Sequence, residues 1–147
     1  MYKRTIIILF TLLIYCLSSK ATLAQTYGEI FTKTEANEKF GPVLNSVTLQ
    51  TLALKGMLNQ TTKYIMFKTQ NGNAIVLDSK RSVIHPMGKS INSADVFSVY
   101  STSVVNELLK LGASAQVFIE QRGSVLTISN GAYTMEMATM CPPFCPD

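Results

Sequence analysis

The chain has 147 residues, 47% of them hydrophobic, with 13 lysines and arginines, nine acids and one histidine. Three of the cations, Lys3, Arg4 and Lys20, fall within residues 1–24, and none of the acids does. Without that segment ten cations face nine acids, a net charge of +1. This excludes the dense basic footprint that nucleic acid or an anionic lipid surface requires.

Residues 1–24 read as a signal peptide. Lys3-Arg4 makes a positive start, Thr5 to Leu17 is an almost unbroken apolar run, and Ala21, Thr22 and Ala24 are the small residues of a cleavage site. The run is too short for a membrane-spanning helix, which needs roughly 20 residues. Cleavage is expected after Ala24, giving a secreted or periplasmic protein with no transmembrane anchor. Leu13-Ile14-Tyr15-Cys16 departs from a lipoprotein box at the bulky Tyr15. Cys16 leaves with the signal, so Cys141 and Cys145 remain, an even pair in an oxidising compartment.

Residues 25–42 form an N-terminal segment. Tyr27–Phe31 is extended, and Thr32 with Glu35 has capping-box spacing for a short helix ended by Gly41-Pro42. Pro42–Thr48 reads as a strand. Leu49, Leu52, Ala53, Gly56 and Met57 then have the spacing of an amphipathic helix. Lys63–Thr69 and Ala74–Asp78 are strands joined by an Asn71-Gly72 hairpin turn, and Arg81–Ile84 is a third.

The same order returns. Val96–Tyr100 is a strand, and Ser101, Thr102 and Ser103 offer caps to a helix with the stripe Val104, Val105, Leu108, Leu109 and Leu111, closed by Gly112. Ala115–Gln121, Ser124–Ser129 and Ala132–Ala138 are strands, with turns at Arg122-Gly123 and Asn130-Gly131. At an offset of 51 residues Thr51 meets Thr102, Phe67 meets Phe118 and Gly72 meets Gly123. The pattern predicts a tandem β-α-β-β-β duplication over 43–86 and 94–138, set against two ordinary halves of similar order. Either way residues 43–138 form an α+β domain, its sheet mainly antiparallel with two amphipathic helices on one face. Such tandem units are similar in topology alone to the subdomains of sliding clamps. The exposed faces here carry Gln50, Lys55, Asn59, Asn106, Glu107 and Lys110, which nearly cancel, so no nucleic-acid partner is expected.

Residues 139–147 are a Cys/Pro-rich tail. In Cys141-Pro142-Pro143-Phe144-Cys145-Pro146 a local disulfide closes a small loop, stabilising by less than the ~3 kcal/mol of a 15-residue loop. Pairing with a cysteine of another chain would instead make a covalent oligomer. A redox-active pair has less support, because the spacing is C-x3-C and no helix follows to favour a thiolate. Met135, Met137, Met140, Cys141 and Cys145 also supply the soft ligands of a Cu(I) site, with copper then the only cofactor. Alternating methionines on a strand serve equally as core filler.

His85 stands alone, and the acids Glu29, Asp78, Asp95, Glu107, Glu120 and Glu136 are scattered. Glu120 and Arg122 share a strand face, which a cross-strand ion pair explains. Phosphate loops, nucleophile elbows and zinc-protease motifs are absent. Asn59-Gln60-Thr61 is a glycosylation sequon if the source is eukaryotic. Tyr27, Phe31 and Phe40 are expected to form an apolar patch for a protein partner or a second copy of the chain. The resulting expectation is a small exported binding or structural domain without catalytic residues. A Cu(I)-binding protein, and a small enzyme gathering Glu120, Asp78 or His85 in one pocket, are the alternatives.

Overall fold

The computed structural model describes residues 25–146. The expected signal, its cleavage site and Cys16 lie outside the described residues. In chain order the elements are β1 (Glu29–Thr32), α1 (Lys33–Phe40), β2 (Asn45–Gln50), α2 (Thr51–Leu58), β3 (Tyr64–Gln70), β4 (Asn73–Leu77) and β5 (Val83–His85). They continue as β6 (Phe97–Ser101), α3 (Thr102–Gly112), β7 (Gln116–Arg122), β8 (Val125–Asn130), β9 (Tyr133–Glu136) and β10 (Thr139–Cys141). The fold is α+β, with antiparallel pairing throughout.

The strands divide between two five-stranded sheets, in the orders β1-β9-β8-β7-β2 and β10-β6-β3-β4-β5. Each half of the chain lends its first strand to the sheet of the other half. β2 runs beside β7, and β6 runs beside β3. The chain crosses between sheets through α2 and again through α3, so neither half closes a sheet alone.

Alternation explains the core. One face of the first sheet contributes Val47, Leu49, Val117, Ile119, Leu126, Ile128 and Met135; the second sheet answers with Ile65, Phe67, Ala74, Val76 and Tyr100. α2 adds Leu54, Met57 and Leu58, and α3 adds Val104, Val105, Leu108 and Leu109. Both helices therefore share one core with both sheets. The Tyr100 hydroxyl ties the layers by donating to the Leu126 carbonyl, and burial pushes its phenol well above the ordinary range.

Local chemistry sets the helix ends. The Thr32 hydroxyl accepts the Glu35 N–H at 3.3 Å and the Glu35 carboxylate accepts the Thr32 N–H at 2.7 Å, completing the expected capping box. Leu49 lies in β2 opposite Val117 rather than in α2, because cross-strand pairing outweighs its helical spacing. Leu52, also expected in the stripe, is 81% exposed. Leu111 falls past the buried stripe of α3 and is 47% exposed.

Gly112 is the last residue of α3 rather than its cap, a role taken by Ala113 in the left-handed conformation (φ 49°). Its lack of a side chain serves close approach. A Cβ there would overlap the Asn130 carbonyl and Oδ1, and one on Gly131 would overlap the Gly112 carbonyl.

The offset of 51 residues holds up to the helix starts and not beyond. Gln50 faces Gln116 as Ser101 faces Tyr64, while Gln70 faces Asn73 as Arg122 faces Val125. Beyond the helices the matching positions are thus 52 apart, and Phe67 corresponds to Ile119 rather than to Phe118. α3, at 11 residues against 8 for α2, is followed by a shorter loop, and the net difference is one residue.

Candidate functional site

The second face of the first sheet is polar and still buried. Arg122 Nη2 donates to Glu120 Oε2 at 2.8 Å, and the same oxygen accepts the Ser129 hydroxyl at 2.7 Å. Arg122 Nε reaches the Thr127 hydroxyl at 3.1 Å, and Ser129 pairs with Thr134 at 2.8 Å. α1 covers this layer: Arg122 Nη1 donates to Asn37 Oδ1 at 2.5 Å and to the Gly41 carbonyl at 2.9 Å. The pairing of Glu120 with Arg122 runs along one strand, two residues apart, rather than between strands. Every buried side-chain polar atom among the described residues has a partner. The layer works as a hydrogen-bonded lock between α1 and the sheet.

The second sheet is apolar on both faces. Tyr64, Met66, Ile75, Leu77, Phe97, Val99 and Cys141 form its outer cluster, with Tyr27, Val83 and Ile91 packed against them. The tail closes over this cluster through the Cys141–Cys145 disulfide. Arg81 fastens it. Nη1 donates to the Cys141 carbonyl at 3.1 Å and lies 3.0 Å from Cys141 Sγ and 4.0 Å from Cys145 Sγ. Nη2 donates to the Asp95 carbonyl at 3.0 Å, and the guanidinium sits 5.6 Å from the centre of the Phe97 ring.

A turn held by Asp78 aims this arginine. Asp78 Oδ1 accepts the N–H groups of Lys80 at 2.9 Å and Ser82 at 2.7 Å, and its carbonyl accepts that of Arg81 at 3.1 Å. Arg81 thereby adopts φ 64°, a left-handed conformation that costs a non-glycine residue about 1 kcal/mol or more. Nothing in the residue spacing announced this contact, since Arg81 and Cys141 lie 60 positions apart.

The structure does not gather the five soft ligands on one face, since Met135 belongs to the core between the sheets and Cys141 to the outer cluster of the second sheet. Met135 is buried in the main core, Met137 is 48% exposed, and Met140 lies at the surface beside the Ser98 hydroxyl. Met135 and Met137 do not share a strand face, because β9 ends at Glu136 and Met137 turns to φ 69°. Cys141 and Cys145 are joined to each other. His85 is half-buried on β5 opposite Val76, Asp78 serves its turn, and Glu120 belongs to the other sheet. These three occupy separate elements. Among the described residues no three His, Cys, Asp or Glu side chains are grouped for a metal.

The apolar patch expected from Tyr27, Phe31 and Phe40 is divided. Tyr27 packs on Tyr64 (ring centres 5.6 Å apart), whereas Phe31 meets Phe40 edge-on at 5.4 Å with the Lys39 ammonium over Phe31. All three are half-buried. The exposed apolar residues Val43, Leu44 and Leu52 instead flank β2.

Three carboxyls are shifted by their surroundings, among them Glu35, held below its ordinary value by the Thr32 N–H and hydroxyl of the capping box. Lys68 donates to Asp95 Oδ1 at 2.5 Å and, with the Asn92 N–H, holds the Asp95 carboxyl below its ordinary value. Burial pushes Glu136 up, against hydrogen bonds from the Met137 and Ala138 N–H groups.

Among the described residues no helix is long and apolar enough to cross a membrane. Compared with known protein families, curated proteins and solved structures, the chain matches none.

Proposed function

We propose that this chain is an exported binding domain without catalytic residues, working outside the cytoplasm after removal of residues 1–24. We propose also that residues 43–86 and 94–138 descend from one duplicated β-α-β-β-β unit. The equivalent facings of Gln50 with Gln116 and of Ser101 with Tyr64 support that origin.

The observation that carries the binding role is the edge strand β2. It is the longest of the four edges, six residues against four for β1 and three each for β5 and β10. Edge strands are normally blunted by charge, proline or a bulge. Glu29 marks β1 and a register shift marks β5, whereas Asn45–Gln50 contains no charge and no proline and pairs regularly. Its occupant is an extended, uncharged segment of a partner protein added as a further strand, with Val43, Leu44 and Leu52 offering apolar contacts at either end.

The test pans a random heptapeptide library, displayed on phage, against the purified protein. Uncharged, β-branched peptides are expected to be enriched, and their binding to vanish in the Ser46→Lys/Thr48→Lys protein with unchanged circular dichroism. Failure to enrich any peptide, or binding that survives the two lysines, overturns the reading. A second copy of the chain as the occupant would show in sedimentation as a dimer that the same substitutions dissociate, and would replace the peptide reading.

A further inference from the structure

The tail disulfide is asymmetric. Cys141 Sγ is buried against the second sheet with the Arg81 guanidinium 3.0 Å away, while Cys145 is exposed. An incoming thiolate therefore reaches Cys145 and not Cys141. Beside Cys145 opens a cavity of about 440 Å³, lined by Thr62, Lys63, Ser79, Lys80 and Arg81 together with Pro146. Among the described residues Lys80 and Arg81 bring positive charge to it and no acid lines it. Asp95, an acid close to Arg81, is committed to Lys68.

We propose that Cys141–Cys145 is a thiol-exchange site for small anionic thiols, with Cys145 as the sulfur attacked and Arg81 holding the departing Cys141 thiolate. The anionic thiolate enters the cationic cavity and bonds to Cys145 Sγ. The Cys141–Cys145 bond breaks, and its electron pair leaves on Cys141 Sγ, where the guanidinium stabilises the charge. A second molecule of the thiol attacks its own kind in the mixed disulfide and releases Cys145 as a thiolate. In balance, two thiols are oxidised to one small-molecule disulfide and give up two protons, and the protein disulfide takes up two electrons. This supplies by arginine what the sequence lacks as a helix N-terminus after Cys145. It acts on a different sheet from the β2 edge and stands or falls apart from it.

The test mixes the oxidised, purified protein with glutathione, an anionic thiol, or with cysteamine, a cationic one, at matched thiolate concentration. Exchange is stopped with iodoacetamide and mapped by peptide mass. Glutathione is expected on Cys145 with Cys141 alkylated, forming about tenfold faster than the cysteamine adduct at low salt and converging with it at high salt. Lys80→Gln is expected to narrow that preference. Arg81→Gln is expected to slow both thiols by about tenfold, and Arg81→Lys to recover part of the rate. An adduct on Cys141, equal rates for the two thiols at low salt, or no adduct overturns the proposal. Should Arg81→Gln not fold, the charge comparison and Lys80→Gln decide it alone.

Discussion

Thr51 and Thr102 open their helices with the same pair of bonds. The Thr51 N–H donates to the Ala115 carbonyl at 2.9 Å and its hydroxyl to the Ser114 carbonyl at 2.7 Å. The Thr102 N–H donates to the Lys63 carbonyl at 2.9 Å and its hydroxyl to the Thr62 carbonyl at 3.0 Å. Each helix start is thus tied to the loop that leads into the other half's hairpin, which is what holds the exchanged first strands in place. Thr51 is the more buried and also accepts from Asn130 Nδ2 at 3.3 Å. Thr51→Val is therefore expected to cost about 2 kcal/mol and Thr102→Val about 1 kcal/mol, read from urea unfolding.

Glycine substitutions separate close approach from helix propensity. Gly112→Ala drives a methyl into the Asn130 backbone and is expected to cost about 3 kcal/mol. Gly56, inside α2, has nothing near its missing side chain. Gly56→Ala should stabilise by up to about 1 kcal/mol. Thermal unfolding of the two proteins side by side checks the contrast; a neutral Gly112→Ala would contradict the packing described.

Beneath α1, Arg122→Met leaves Glu120 buried with only hydroxyl partners. A loss of about 3–5 kcal/mol is expected, whereas the double Glu120→Met/Arg122→Met should recover much of it, because no unpaired charge remains. A double-mutant cycle in guanidinium measures the coupling, and simple additivity of the single changes would refute it.

Acid and neutral stability should respond in opposite senses to two carboxyls. Asp95 is held below its ordinary value, so its contribution is present above the unfolded carboxylate range and is lost as pH falls through the folded value. Asp95→Asn is expected to lower Tm at neutral pH and leave it unchanged in strong acid. Glu136 is pushed up by burial. Its ionised form opposes folding at neutral pH, and the penalty disappears below the unfolded range. Glu136→Gln is expected to raise Tm at neutral pH and lose that gain on acidification. Calorimetry across the acid range tests both.

Much of the local structure was legible in residue order. The capping box of α1, the Asn71-Gly72 turn and the stripe Val104, Val105, Leu108 and Leu109 each rest on contacts a few residues apart, where spacing alone determines geometry. Leu49 was misplaced for the opposite reason: its environment is Val117, far along the chain. The offset of 51 failed in the hairpins because one residue enters where no turn or cap marks it. The Glu120–Arg122 pair was visible by alternation, but its cover by Asn37 and Gly41 was not.

The chain order by itself settled the α+β class and the Asn71-Gly72 turn, placed the turns after β7 and β8 to within one residue, and offered the closure of Cys141 on Cys145 as one of its alternatives, since these depend on short separations and on the period of apolar residues. Only the tertiary structure decided that the strands split into two sheets with their first members exchanged. It alone brought Arg81 to the disulfide, set Met135 apart from the tail and left β2 at the edge of its sheet, with β7 on one side and no strand on the other. Such outcomes depend on which distant surfaces meet, and pairing across a fold is chosen by the whole core rather than by any one segment.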